Sequence, residues 1–160
     1  AIKLKNIGFD VCGYSLSHKK IDGINCFYGN QMKEFLSKIN VLVCTVPYTP
    51  KTHNLLSENL FNKLKTPTYL INVARGKVQN EIDIIKALDN GILTGAFLDV
   101  FEKEPLPESS PLWNHEKIKI TPHIASITNA EAGAKQIIEN YTRNKKNEKL
   151  INEINLQKGY

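Results

Sequence analysis

The sequence has no apolar run that approaches the ~18 residues of a membrane-spanning helix. Its longest apolar runs, such as Val41 to Val46, are strand-sized. The N-terminus, Ala1-Ile2-Lys3-Leu4-Lys5, lacks the apolar block and small-residue cleavage site of a secretory leader. Cysteine is scarce: Cys12, Cys26 and Cys44 are an odd set with no C-x-x-C spacing and no histidine pair nearby. That excludes a disulfide scaffold and a zinc site, so no metal is expected. Aromatics make up 8% of the chain and few lie among the lysines, which argues against a nucleic-acid surface. The nine glycines nowhere form G-x-G-x-x-G, so the stretch holds no phosphate loop of that type. These absences predict a soluble, cytoplasmic chain with no membrane or nucleic-acid partner.

What remains is ordinary globular material. The 160 residues are 41% hydrophobic and 23% charged, enough for one domain or one lobe of a larger protein. The net charge of +5 is unevenly placed. Residues 1–80 hold 11 bases against 4 acids, a balance that suits nucleic acid, an anionic cofactor or nothing in particular.

Strand-like and helix-like segments alternate. Strands are expected at Ile7 to Tyr14, Val41 to Val46, Tyr69 to Ala74, Thr94 to Leu98 and Ile118 to Ile120. The continuous β-branched run Val41 to Val46 predicts a strand buried on both faces. Helical spacing appears over Gln31 to Ile39, with Met32, Phe35, Leu36 and Ile39 on one face. Ser57 is placed to cap a short helix through Leu64. Asn80 is placed to cap a better-marked one, with Ile82, Ile85 and Leu88 as its apolar stripe and Gly91 as its left-handed stop. Asn129 to about Asn144 reads as a long terminal helix. The alternation predicts an α/β fold, a doubly wound parallel sheet of the Rossmann-like, dinucleotide-binding type.

In such sheets chemistry gathers beyond the carboxyl ends of the strands. That rule selects Ser15 to Lys20, Pro47 to Thr52, Arg75-Gly76, Asp99 to Pro105 and Pro122 to Ser126. Arg75 offers a two-pronged donor suited to a carboxylate, or is simply a surface arginine before a turn glycine. Asp99 can accept from an amide ligand or cap a turn. His123 can move a proton near neutral pH, and Glu104 on the neighbouring loop is a candidate partner to fix its ring tautomer. Together Arg75, Glu104 and His123 could hold a 2-oxo acid and protonate its carbonyl oxygen, with hydride supplied by a nicotinamide.

Five stretches carry a family resemblance. They are Val46-Pro47-Tyr48-Thr49-Pro50-Lys51-Thr52, Ile71-Asn72-Val73-Ala74-Arg75-Gly76, the run Gly95 to Pro105, Pro111-Leu112-Trp113, and Ile120-Thr121-Pro122-His123-Ile124-Ala125. In this order the chain resembles the C-terminal, NAD(P)-binding part of the D-isomer-specific 2-hydroxyacid dehydrogenases. The nearest branch is that of the glyoxylate/hydroxypyruvate reductases. Ala125-Ser126-Ile127-Thr128 and the ending Gln157-Lys158-Gly159-Tyr160 are similar to that branch too.

The resemblance implies an oxidoreductase that reduces small 2-oxo acids such as glyoxylate or hydroxypyruvate. Arg75 would bind the substrate, and Glu104 and His123 would be the acid/base pair. Asp99 would meet the nicotinamide carboxamide. Pro47, Tyr48 and Thr52 would line the adenosine side, with Val73 and Ala74 near the nicotinamide ribose. Trp113 would shape the substrate pocket or act as a packed anchor. The stretch Tyr14 to Lys20 has no acid to bind a ribose 2′-hydroxyl. Ser15, Ser17, His18 and Lys19 suit a 2′-phosphate instead, so NADP(H) is expected over NAD(H). The resemblance also implies a homodimer for the full-length protein.

Against that family the first strand and its phosphate loop are missing, as is the N-terminal substrate domain. Residues 1–160 therefore read as a partial dinucleotide-binding domain, with a terminal helix and tail over about 130–160. The alternatives are a dinucleotide-sensing interaction module of the corepressor type, or an inactive fragment.

Overall fold

The computed structural model describes residues 1–126 and 129–155. Ile127, Thr128 and the ending Gln157 to Tyr160, which enter the resemblance, lie outside the described residues. The described residues form six strands and five α-helices, in the order α1 (Ile2–Asn6), β1 (Cys12–Ser15), β2 (Asn25–Tyr28), α2 (Met32–Leu36), β3 (Val41–Cys44), α3 (Glu58–Phe61), β4 (Thr68–Asn72), α4 (Glu81–Asp89), β5 (Leu93–Leu98), β6 (Ile118–Ile120) and α5 (Ala130–Lys145). Every strand pair is parallel. The fold is therefore α/β and Rossmann-like. It has two sheets: β1 pairs with β2, and β3-β4-β5-β6 run in sequence order. Among the described residues no strand joins β1 to β3.

The four-stranded sheet carries the core. β4 alternates buried and half-buried residues, with Thr68, Leu70 and Asn72 inward. Leu70, Leu93, Ala96 and Leu98 are wholly buried. Each such leucine contributes about 2 kcal/mol of apolar transfer. One cluster of buried side chains includes Phe27, Phe35, Leu36 and Ile39 as well as Leu42 and Leu70. Helix α2 thus ties the small sheet to the larger one.

Local signals place several elements as expected. Asn80 caps α4 by accepting from the Asp83 amide at 3.1 Å, and Gly91 has φ +72° just past its end. Asn129 caps α5 by accepting from the Ala132 amide at 3.0 Å. β6 spans the expected residues.

Other expectations are corrected. The strand expected at Ile7 to Tyr14 begins only at Cys12. The amides of Ile7, Gly8 and Phe9 bond back to Leu4 and Lys5 carbonyls, closing α1 and leaving nothing for a sheet. β2 was not anticipated, because four residues after Asp22-Gly23 give little periodicity. β3 buries Leu42 and Cys44 on one face and leaves Val41 50% and Val43 46% exposed on the other, since successive side chains point to opposite faces and only one of them meets the core. In α4 the inward residues are Ile84, Ala87 and Leu88, while Ile82 is 64% exposed. The stripe follows i, i+3, i+4, since a strict three-residue repeat drifts around a 3.6-residue helix. Ser57 precedes α3 without a side-chain capping bond, and that helix stops at Phe61.

Candidate active site

The loops that follow β3, β4, β5 and β6 emerge at one end of the four-stranded sheet, as parallel pairing requires. Residues 45–48 after β3 and residues 73–75 after β4 line an open cavity of about 420 Å³. Pro47, Tyr48, Val73, Ala74 and Arg75, expected to serve cofactor and substrate, therefore share one cleft. A second hollow, beside α2 and Lys65, lies apart from these loops.

Arg75 stands where β4 has ended and a single 3-10 turn, Gly76–Val78, begins. Its Nη1 donates to the Ala74 carbonyl at 2.6 Å, and the residue is exposed. Among the described residues no carboxylate pairs with it. Gly76 is required by contact: a Cβ there would lie 1.7 Å from the Phe101 carbonyl oxygen. The Arg75 turn thus rests directly on the loop that carries Glu104.

His123 and Glu104 meet as the sequence predicts. His123 Nδ1 lies 2.8 Å from Glu104 Oε2, with side chains 45% and 36% exposed. The other oxygen, Oε1, accepts from the Phe101 amide at 2.9 Å. Burial pushes the Glu104 pKa up, but the His123 hydrogen bond, the Phe101 amide and the His123 charge together hold it below the ordinary carboxylate value.

His123 has φ +55°, in the left-handed region that non-glycine residues rarely adopt. Asp99 holds this backbone from both sides. Its Oδ1 accepts from the Thr121 hydroxyl and from the Ile124 amide at 2.9 Å, and its Oδ2 accepts from the Ala125 amide at 2.9 Å. Burial raises the Asp99 pKa, but these three donors and the His123 charge outweigh it, so the carboxyl sits below its ordinary value. At 1% exposure the Asp99 carboxylate braces the His123 loop. Its Oδ2, with one bond, is the oxygen with acceptor capacity left for a carboxamide.

The remaining expected residues fall into two groups. Thr52 folds the loop after β3 on itself: its hydroxyl donates to the Pro47 carbonyl at 2.7 Å and accepts from the Thr49 amide at 2.7 Å. Trp113 is 51% exposed, with its indole N–H donating to the Pro107 carbonyl at 2.9 Å. Ser15 ends β1, and Ser17, His18 and Lys19 stand just beyond it, on the other sheet. Ser15 Oγ donates to the Ser17 carbonyl at 2.6 Å, and His18 sets its ring edge-on to Tyr28 at 5.0 Å. Ser17 and Lys19 are exposed. Two residues that sequence reasoning missed are Asn72 and Gln79, both buried. The available signal was Asn72's polarity inside the apolar run 69–74; Gln79, between Val78 and Asn80, carried none.

No helix among the described residues is long and apolar enough to cross a membrane. None of their His, Cys, Asp or Glu side chains cluster as a metal site.

Comparison with known proteins agrees with this architecture. The family model for the NAD-binding domain of D-isomer specific 2-hydroxyacid dehydrogenases matches residues 1–125. The glyoxylate/hydroxypyruvate reductase A of Photorhabdus laumondii is 42% identical over 154 residues, 96% of this chain and 49% of that protein. Its counterpart in Serratia proteamaculans is 45% identical over 88% of this chain and 45% of its own length. The chain thus spans about half the length of these curated relatives. Among solved structures, a D-isomer specific 2-hydroxyacid dehydrogenase from Xanthobacter autotrophicus Py2, in complex with NADPH and MES, superposes with a TM-score of 0.96 at 40% identity. That match covers all of this chain and 66% of the other. An NADPH-dependent glyoxylate/hydroxypyruvate reductase from Sinorhizobium meliloti, with NADP and sulfate, gives 0.95 at 34% identity, covering 100% of this chain and 52% of that one. The chain belongs to the D-isomer specific 2-hydroxyacid dehydrogenase family and falls within its NAD-binding domain.

Proposed function

We propose that the protein carrying this chain reduces small 2-oxo acids, glyoxylate or hydroxypyruvate, to 2-hydroxy acids with NADPH. The observation that carries the reading is the His123–Glu104 contact of 2.8 Å, on loops at the same sheet end as Arg75. With Nδ1 on the carboxylate, Nε2 is the ring nitrogen that faces a substrate. Glu104 stabilises the protonated ring and fixes its orientation. His123 then gives its proton to the carbonyl oxygen as the carbonyl carbon gains hydride, so the C=O becomes H–C–O–H. Arg75, with no carboxylate partner among the described residues, holds the substrate carboxylate by paired N–H donors.

The cleft of residues 45–48 and 73–75 suits part of a dinucleotide. Pro47, Tyr48 and Thr52 stand on the adenosine side and Val73 and Ala74 near the nicotinamide ribose, with Asp99 Oδ2 toward the carboxamide. When bound, the nicotinamide supplies the hydride, which no side chain can provide. Ser15, Ser17, His18 and Lys19 offer hydroxyls and positive charge without an acid, which favours NADP(H) over NAD(H). The relatives crystallised with NADPH or NADP support that preference.

The test is oxidation of NADPH by the intact protein on addition of glyoxylate or hydroxypyruvate, followed by absorbance. His123→Gln is expected to cut turnover by about 10²-fold or more, the usual worth of a positioned acid. NADPH binding without oxidation by either acid would overturn the proposal and favour a dinucleotide-sensing role.

A further inference from the structure

The loops that carry Arg75 and Glu104 come from different strands, yet one buried amide pair connects them. Asn72, the last residue of β4, and Gln79, just past the 3-10 turn, are 0% and 1% exposed. Asn72 Nδ2 donates to Gln79 Oε1 at 2.7 Å. Gln79 Nε2 donates to the Val100 carbonyl at 2.9 Å, beyond the end of β5. Asn72 Oδ1 accepts from the Ala74 amide at 3.0 Å, and Nδ2 also reaches the Arg75 carbonyl at 3.4 Å. The glutamine has little freedom, because its own amide donates to the Gly76 carbonyl at 2.9 Å and its backbone bridges to Leu56. From Val100 the chain passes at once to Phe101, whose amide holds Glu104, which in turn meets His123.

We infer that Gln79 is a positioning residue: its carboxamide fixes the Glu104 loop against the Arg75 turn and so sets the spacing between the substrate-holding cation and the acid/base pair. This rests on the proposed reduction for its kinetic consequence, but the structural coupling stands without it. The physical reason is that both amide ends are buried and matched. Losing either bond leaves a carbonyl or an N–H without a partner away from water, and the loops shift to satisfy it. A displacement of about 1 Å in such a site costs on the order of 10²-fold in rate.

Two variants in the intact protein test it. Gln79→Met keeps the volume and removes both bonds. Gln79→Glu keeps the shape, but only its protonated form can both accept from Asn72 and donate to Val100, and burial favours that neutral form as pH falls. With rates divided by folded fraction, Gln79→Met is expected to lose at least about tenfold in kcat at little change in the NADPH KM. Gln79→Glu is expected to recover toward wild type as pH is lowered, relative to wild type at each pH, while Gln79→Met does not.

A second readout needs no turnover. With nitrogen-labelled histidine, the His123 ring resonances are expected to move in Gln79→Met, although Gln79 does not touch His123. Shifted resonances with an inactive wild-type protein would uphold the coupling and sink only the proposed reaction. Unmoved His123 resonances, or kcat per folded molecule unchanged in both variants, would overturn the inference.

Discussion

Replacing Gly76 by alanine adds one methyl group, and its cost follows from the structure. Gly76 does not have a positive φ, so its backbone is open to alanine and only contact opposes the change. The new Cβ would lie 1.7 Å from the Phe101 carbonyl oxygen, 1.9 Å from its carbon and 2.5 Å from the Glu102 nitrogen. These are backbone atoms and cannot swing away as a side chain would. A Cβ is essentially never found within 3.0 Å of such atoms, so the two loops must part by at least 1.3 Å, the difference between 3.0 and 1.7 Å. That segment also carries the Glu102 amide to Glu81 Oε1 and the Phe101 amide to Glu104 Oε1, both 2.9 Å. Overpacking costs about 1–3 kcal/mol, and straining the part-buried Phe101–Glu104 hydrogen bond adds about 1 kcal/mol. The sum, about 2–4 kcal/mol, is a large part of a typical domain stability. Urea unfolding of the intact protein, followed by circular dichroism, should show the midpoint falling by about 1–2 M at an unchanged slope. The control is Gly133→Ala in α5, where an added Cβ meets nothing within 4 Å and alanine favours the helix by about 1 kcal/mol. A Gly76→Ala midpoint equal to wild type would refute the claim that these loops are in obligatory contact.

Two further outcomes are expected. Lys19→Glu, on the exposed loop after β1, should raise the NADPH KM by on the order of tenfold and leave the NADH KM near its starting value, as read from initial rates with each cofactor; equal effects on both would remove Lys19 from 2′-phosphate recognition. Asp99 and Glu104 both have pKa values held below the ordinary carboxylate value, so their stabilisation is complete above about pH 4.5 and is lost as pH falls through the depressed values. Amide-exchange protection at Ile124 and Ala125, which donate to Asp99, should therefore be lost only below about pH 4; loss between pH 5 and 6 would contradict the assignment.

The parts of this molecule that were legible in the sequence are those set by neighbours along the chain. Asn80 before an amphipathic run announces α4, and the alternating Ile118-Lys119-Ile120 stopped by Pro122 announces β6. The His123–Glu104 contact was legible because both residues follow strand ends, where parallel sheets converge their loops. The failures are long-range. Val41 and Val43 look like core residues, and their exposure depends on which face of β3 meets the core, which no local pattern encodes. The bonds that Thr52 and Ser15 make inside their own loops, beside the cofactor roles proposed for them, were not legible either. The brace of Asp99 on Thr121, Ile124 and Ala125, beside the carboxamide role proposed for it, appears only once β5 and β6 lie side by side. Asn72 is a polar residue in an apolar run and Gln79 carries no such mark, and the sequence does not name the partner of either.

The division into two sheets bears on how such a site is assembled. Arg75, Glu104, His123 and Asp99 all follow strands of the four-stranded sheet, whose ladder fixes their loops relative to one another. Asp99 and Gln79 add side-chain bonds between those same loops. Ser15 ends β1 and Ser17, His18 and Lys19 follow it; β1 is hydrogen-bonded only to β2 among the described strands and reaches the larger sheet through the apolar contacts of α2. The acid/base geometry is therefore held by directional bonds, and the position of the 2′-phosphate loop by packing, which tolerates small slides that a ladder does not. Substitutions in the α2 core, such as Phe35→Leu, should accordingly alter cofactor preference before they alter the pH dependence of turnover. The reverse order would mean that the two sheets act as one rigid frame.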